Sequence, residues 1–149
     1  MKTIIDKDTK GLNFMEKNKV SVWASQFPYD KIPEEYFEEN FTHKKKRATN
    51  TWSNNFKLAY FSPDYLETNG VYSGTSNIRK VAGACSFSKS YIESLEQMAI
   101  NNNMAQVTWI VLLHDLAYDP EVSGIKKDKF LTFLGAFDYD ETADSLYEP

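Results

Sequence analysis

Cysteine, histidine and glycine are all scarce in this 149-residue chain, and each shortage closes off a class of chemistry. The single cysteine, Cys85, permits no intrachain disulfide. With only two histidines beside it, His43 and His114, there is no ligand set for a zinc cluster. The six glycines are scattered, and neither a Gly-x-Gly-x-x-Gly run nor the Gly-Lys-Ser/Thr ending of a phosphate-cradling loop occurs. No apolar run approaches the roughly 20 residues that a membrane-crossing helix needs. The opening Met-Lys-Thr-Ile-Ile continues into Asp-Lys-Asp rather than the apolar core of a signal peptide, so a cytoplasmic protein is expected. Positive charge is also in deficit: 17 Lys and Arg against 21 Asp and Glu leave a net charge of −4. That balance exerts no pull toward nucleic acid or an anionic membrane, and neither is expected as a direct partner. It suits a basic partner instead.

Aromatic residues are plentiful, at 15% of the chain, within a hydrophobic share of 42%. That excludes disorder, and a chain of this size builds one domain with a real core. The most apolar stretch is Val107–Leu116, Val-Thr-Trp-Ile-Val-Leu-Leu-His-Asp-Leu. Trp109, Val111 and Leu113 point one way and Ile110, Leu112 and Leu116 the other. A strand apolar on both faces belongs near the middle of a covered sheet.

The other elements are placed around it. Residues 1–18 carry no periodicity and read as a flexible arm, with Met15 either the natural start or a residue in a leader. Lys19–Ser25 alternates as a strand. Asp30 then caps a helix over Lys31–Phe41 with Pro33 in its first turn, Phe37 and Phe41 inward, and Glu34, Glu35, Glu38 and Glu39 outward. The run His43-Lys44-Lys45-Lys46-Arg47 reads as a solvated loop, and the segment around Trp52 as a turn or brief helix. Phe56–Phe61 reads as a strand, Ser62-Pro63-Asp64 as a helix start, and Arg79–Cys85 as a further strand. Ser86 or Ser88 caps a helix over Lys89–Asn101. A last strand, Phe130–Tyr139, is expected beside the central one as an antiparallel neighbour, followed by a frayed acidic tail. The fold class expected is α+β: one sheet of four or five mostly antiparallel strands with helices packed over it, in a single domain over 19–149.

No arrangement for catalysis emerges. Gly83-Ala84-Cys85-Ser86-Phe87 lacks the second glycine of a nucleophile elbow, and Cys85 reads as a small core residue. His114 and Asp115, adjacent on a strand, point to opposite faces and form no dyad, so His114 reads as a partly buried, hydrogen-bonded histidine. Asp138, Asp140, Thr142 and Asp144 have the spacing of a calcium loop, but Ala143 replaces its turning glycine and Pro149 its bidentate glutamate. No enzyme, metal or cofactor is expected.

Several segments together resemble one family. Lys19-Val20-Ser21-Val22-Trp23-Ala24-Ser25-Gln26-Phe27, followed by Glu35-Tyr36-Phe37-Glu38-Glu39, resembles the opening of the immunity protein 22 family of bacterial polymorphic toxin systems. Phe56–Leu66, Ser90-Tyr91-Ile92 and Phe133-Leu134-Gly135-Ala136-Phe137-x-Tyr139 resemble later parts of it, so the likeness spans roughly residues 19–139. The basic run at 43–47 departs from the more acidic linker of the family. The resemblance implies a small α+β protein that neutralises a cognate toxin domain, often a nucleic-acid-directed enzyme, by occluding its active site or substrate surface. The alternative is a non-catalytic adaptor for another protein. Under the first reading the expected contacts are Glu34, Glu35, Glu38 and Glu39, with Tyr36 or Trp52 as aromatic anchors.

Overall fold

Two stretches of the chain are apolar on both sides, and both lie in the middle of the sheet. The computed structural model describes residues 4–5, 12–41, 48–59 and 61–147. Its main sheet contains β1 (Met15–Ser25), β2 (Leu66–Gly70), β3 (Trp109–Leu116) and β4 (Thr132–Asp138). All pairings are antiparallel and the order is β4-β1-β3-β2. The helices are α1 (Thr51–Asn55), α2 (Ile78–Gly83), α3 (Ile92–Asn101) and α4 (Pro120–Ser123), which makes the fold α+β as expected. None of the described helices is long and apolar enough to cross a membrane.

The sheet separates two cores of different character. On one face Val20, Val22, Ala24, Ile110 and Leu112 pack against Ile78 and Val81 of α2 and Ile92 and Leu95 of α3. On the other, Trp23, Val111 and Leu113 meet Phe14, Trp52, Phe56, Tyr118 and Phe133. This second core is aromatic: the Trp23 ring lies 5.0 Å from Trp52, 5.7 Å from Phe56 and 5.2 Å from Phe133. Full burial of each such large apolar side chain contributes about 1.5–3 kcal/mol, and well-oriented ring pairs add roughly 0.5–1.5 kcal/mol each.

Leu116 lies in the aromatic core, not across the sheet from it as strict alternation predicts. The cause is Asp115, held at φ 57° opposite an irregularity in β1 where Asn18 has φ 65°. The two residues support one another: Asp115 Oδ1 accepts from the Asn18 N–H at 3.0 Å and from the Tyr139 hydroxyl at 2.7 Å.

Several expectations are corrected. β1 starts at Met15 rather than Lys19, and Phe14 is buried, so the ordered fold begins inside the segment read as an arm. β3 and β4 are not neighbours, because β1 lies between them. With Val20, Val22, Trp23 and Ala24 all fully buried, β1 needs cover on both faces and pairing on both edges. Arg79–Cys85 is not a strand: Ile78, Val81, Ala82 and Cys85 form a helical stripe, and Asn77 caps it by accepting from the Arg79 N–H at 2.8 Å. Among its described residues Phe56–Phe61 forms only isolated bridges, at Leu58 and Phe61, rather than a strand. A reciprocal Asn50–Ser53 capping box starts α1, and Lys57 at φ 59° breaks the alternation after it. The Ser62-Pro63-Asp64 start yields only one 3-10 turn before β2. α3 is shorter than expected and is preceded by a separate turn over Ser88–Ser90.

The described tail residues 144–147 are docked, where a frayed tail was expected. The Tyr147 N–H donates to the Gly83 carbonyl at 3.0 Å, Ser145 Oγ to the Cys85 carbonyl at 2.8 Å, and the Leu146 N–H to Ser88 Oγ at 2.7 Å. Leu146 adds an apolar contact to the helix-side core. The basic run at 43–47 lies outside the described residues.

β2 closes against the start of β3 only because Gly70 has no side chain. A Cβ there would stand 2.5 Å from the Thr108 carbonyl oxygen and 2.9 Å from Trp109 Cδ1. Gly70→Ala should therefore cost about 2 kcal/mol by overpacking, read as a fall in Tm of roughly 4–8 °C. Thr68→Ala, at an exposed position of the same strand, is the control and should shift Tm far less.

Candidate functional site

The acidic segment is where the structure departs most from the expected helix. Pro33 forces Ile32 into an extended conformation (φ −80°, ψ 124°), so the chain makes two separate 3-10 turns, Tyr29–Lys31 and Glu34–Tyr36. Its base is tied to β3 through Thr108, whose Oγ1 donates to the Phe27 carbonyl at 2.6 Å and whose N–H donates to the Ser25 carbonyl at 2.8 Å.

The segment is nonetheless held firmly from beneath. Tyr36 is buried at 2% exposure, with Phe37 at 4.9 Å and Phe130 at 4.9 Å from its ring. Phe37 in turn sits edge-on to Trp109 at 4.7 Å and beside Trp52 at 5.5 Å. The Tyr36 hydroxyl donates to Asp128. Burial, with that carboxylate beside it, pushes the phenol far above its ordinary range, so it remains a donor.

Asp128 is the hub of this arrangement. One carboxylate oxygen accepts from Tyr36 and from Asn55 Nδ2 of α1 at 3.0 Å. The other accepts from the backbone N–H groups of Phe130 at 2.9 Å and Leu131 at 2.8 Å. Three separate stretches of chain meet on one side chain.

The six residues expected at a partner surface therefore divide in two. Glu34, Glu35, Glu38 and Glu39 are all exposed. Tyr36 and Trp52 are core residues, with Trp52 at 0% exposure, and they support the segment from below instead of facing outward. Exposed aromatics do lie nearby: Tyr29, at 38% exposure, and Tyr72, at 85%, pack edge-on at 5.7 Å. Sequence reasoning missed both, and it missed Asp128. The available sign of Asp128 was a lone acid inside Lys126-Lys127-Asp128-Lys129.

The groups considered for catalysis are committed elsewhere. Burial, with Glu67 nearby, pushes the Cys85 thiol up to about 12. His114 is buried in β3 with Nδ1 3.2 Å from the Tyr65 carbonyl, and its ring packs edge-on to Tyr139 at 4.9 Å and Phe87 at 5.6 Å. Asp115 serves Asn18 and Tyr139 rather than His114. Glu67 accepts from the Ser86 N–H at 3.0 Å. Among the described residues no group of three or more His, Cys, Asp or Glu is placed to hold a metal ion.

Fold and surface together define an α+β protein that displays Glu34, Glu35, Glu38 and Glu39 on one clamped segment. The sequence model of the family described as Immunity protein 22 matches residues 20–140, and the chain belongs to that family. No curated protein and no solved structure matches it.

Two outcomes follow from these contacts. Asp128→Ala removes one acceptor from four donors and should destabilise the fold by about 2–3 kcal/mol, measured by urea denaturation. It should also speed proteolysis between residues 29 and 39. The Cys85 thiol should react with a disulfide reagent at pH 8 at least about a hundredfold more slowly in the native protein than in denaturant. Equal rates would contradict a buried, protonated thiol.

Proposed function

We propose that this chain neutralises a cognate toxin, a nucleic-acid-directed enzyme, by covering that enzyme's active site or substrate surface with the acidic segment. Membership of an immunity-protein family supports a toxin as the partner. The observation that carries the finer reading is the display of Glu34, Glu35, Glu38 and Glu39 on a short segment anchored by Tyr36, Phe37 and Asp128.

An enzyme that acts on nucleic acid presents a basic surface to hold phosphates. Fixed carboxylates match such a surface, raise the association rate by steering, and penalise wrong partners. Anchoring matters because a segment already held in place loses little conformational entropy when it binds.

The test is co-expression and binding with the toxin domain encoded next to this chain. Wild type should form a complex and abolish the toxin's activity. Complex formation without neutralisation would favour the adaptor reading. Glu35→Lys with Glu38→Lys should lower the association rate at low salt by about tenfold and flatten its dependence on ionic strength. Rates unchanged at low salt, with the fold intact, would remove this segment from the interface.

A further inference from the structure

Three strand ends meet at the edge of the acidic segment. Ser25 at the end of β1 and Gly70 at the end of β2 both pair with Trp109 at the start of β3. The loops leaving these ends carry Tyr29 and Tyr72, which are distant in sequence and brought together by the sheet alone. Between them and the acidic segment lies a cleft of about 350 Å³, walled by Tyr29, Ile32, Phe37, Tyr72 and Trp109.

Two features of the cleft are unusual. The Tyr72 ring is 85% exposed, the most of any large apolar or aromatic side chain among the described residues. It forms one end of a chain of edge-on rings, 5.7 Å from Tyr29, which is itself 5.6 Å from Trp109. An aromatic wall left open in this way has the character of an interface anchor. The charges at the cleft all have one sign: Asp30 and Glu34 line it, and among the described residues no Lys, Arg or His does.

We propose that this cleft receives an arginine side chain of the toxin's phosphate-binding surface. The inference rests on the proposed function and deepens it by naming the contact. Charge complementarity requires a cation. Aromatic faces beside carboxylates favour a guanidinium over an ammonium, because the planar group stacks on a ring while its fork of N–H donors engages carboxylate oxygens. Arginine is also the residue with which nucleic-acid-binding surfaces commonly engage phosphate and guanine. The guanidinium would stack on the open Tyr72 ring at the mouth of the cleft, with Asp30 and Glu34 accepting its hydrogen bonds.

The cleft is tested apart from the toxin. The peptide Ac-Gly-Arg-Gly-Arg-Gly-NH2 and its lysine counterpart are titrated into the full chain at low ionic strength and followed by two-dimensional NMR. Shifts from the arginine peptide should concentrate at residues 29–37, 72 and 109, with binding several times tighter than that of the lysine peptide. Tyr72→Ala, a change at an exposed side chain that should leave Tm unchanged, and Asp30→Asn with Glu34→Gln should each weaken binding about tenfold. Absence of binding, equal binding of the two peptides, shifts spread over other acidic surface such as residues 138–144, or indifference to Tyr72→Ala would each overturn the proposal.

The toxin arm separates this proposal from the reading beneath it. If wild type and Tyr72→Ala bind and neutralise the neighbouring toxin equally well, the cleft is wrong and the function stands. If wild type neither binds nor neutralises it, the function is wrong, and the peptide titration still decides what the cleft binds.

Discussion

The organising constraint is that β3 is buried on both faces, from Trp109 through His114. A strand of that kind cannot sit at an edge, and each face needs its own cover. The chain meets this with two separate cores. Small and branched residues face α2 and α3, and a ring-packed cluster of Trp, Phe and Tyr faces the long connection between β1 and β2. β1 is under the same constraint, which is why it displaces β4 from β3 and takes the second central place.

The aromatic core bears directly on function. The β1–β2 connection has little regular structure, and segments of that sort are ordinarily mobile. Here Tyr36 and Phe37 reach down from it into the same cluster that contains Trp23, Trp52 and Trp109. The surplus aromatics thus anchor an irregular loop to the core. The glutamates stay in solvent because their neighbours are turned inward. Asp128 completes the anchoring from β4's side of the molecule, where a carboxylate accepts bonds from the loop, from α1 and from its own turn. Tertiary packing therefore supplies the stiffness that local structure does not.

Cys85 and His114 are both buried, and among the described residues no group of three or more His, Cys, Asp or Glu is placed to hold a metal ion. The resemblance carried by Val20-Ser21-Val22-Trp23 and the Glu-Tyr-Phe-Glu-Glu run supplied what chemistry could not, a class of partner, and the family match over residues 20–140 agrees with it. Its motifs prove to be structural: Val20, Val22, Trp23 and Tyr36 are all buried. They are legible as a signature because a core tolerates little change, and for the same reason they say little about the contact surface.

The sequence by itself determined the strands and helices whose periodicity is strong and local. β3, most of β1, and α3 with its stripe of Ile92, Leu95 and Ala99 are legible because burial repeats at the period of the element. Short elements were not. Ile78–Cys85 and Phe56–Phe61 fit either period over so few residues; the Asn77 cap accompanies a helix in the first, and the left-handed Lys57 interrupts the second. The acidic helix failed for a related reason. Glu34, Glu35, Glu38 and Glu39 are outward and Phe37 packs inward as expected, but Tyr36, expected at the partner surface, is buried: Pro33 set the backbone of Ile32, and the aromatic core, not helix geometry, turned Tyr36 inward. Strand order, the docking of residues 144–147 and the meeting of Tyr29 with Tyr72 were decided only by tertiary structure. Each depends on contacts between distant parts of the chain, and local sequence carries no record of which distant residue will be opposite.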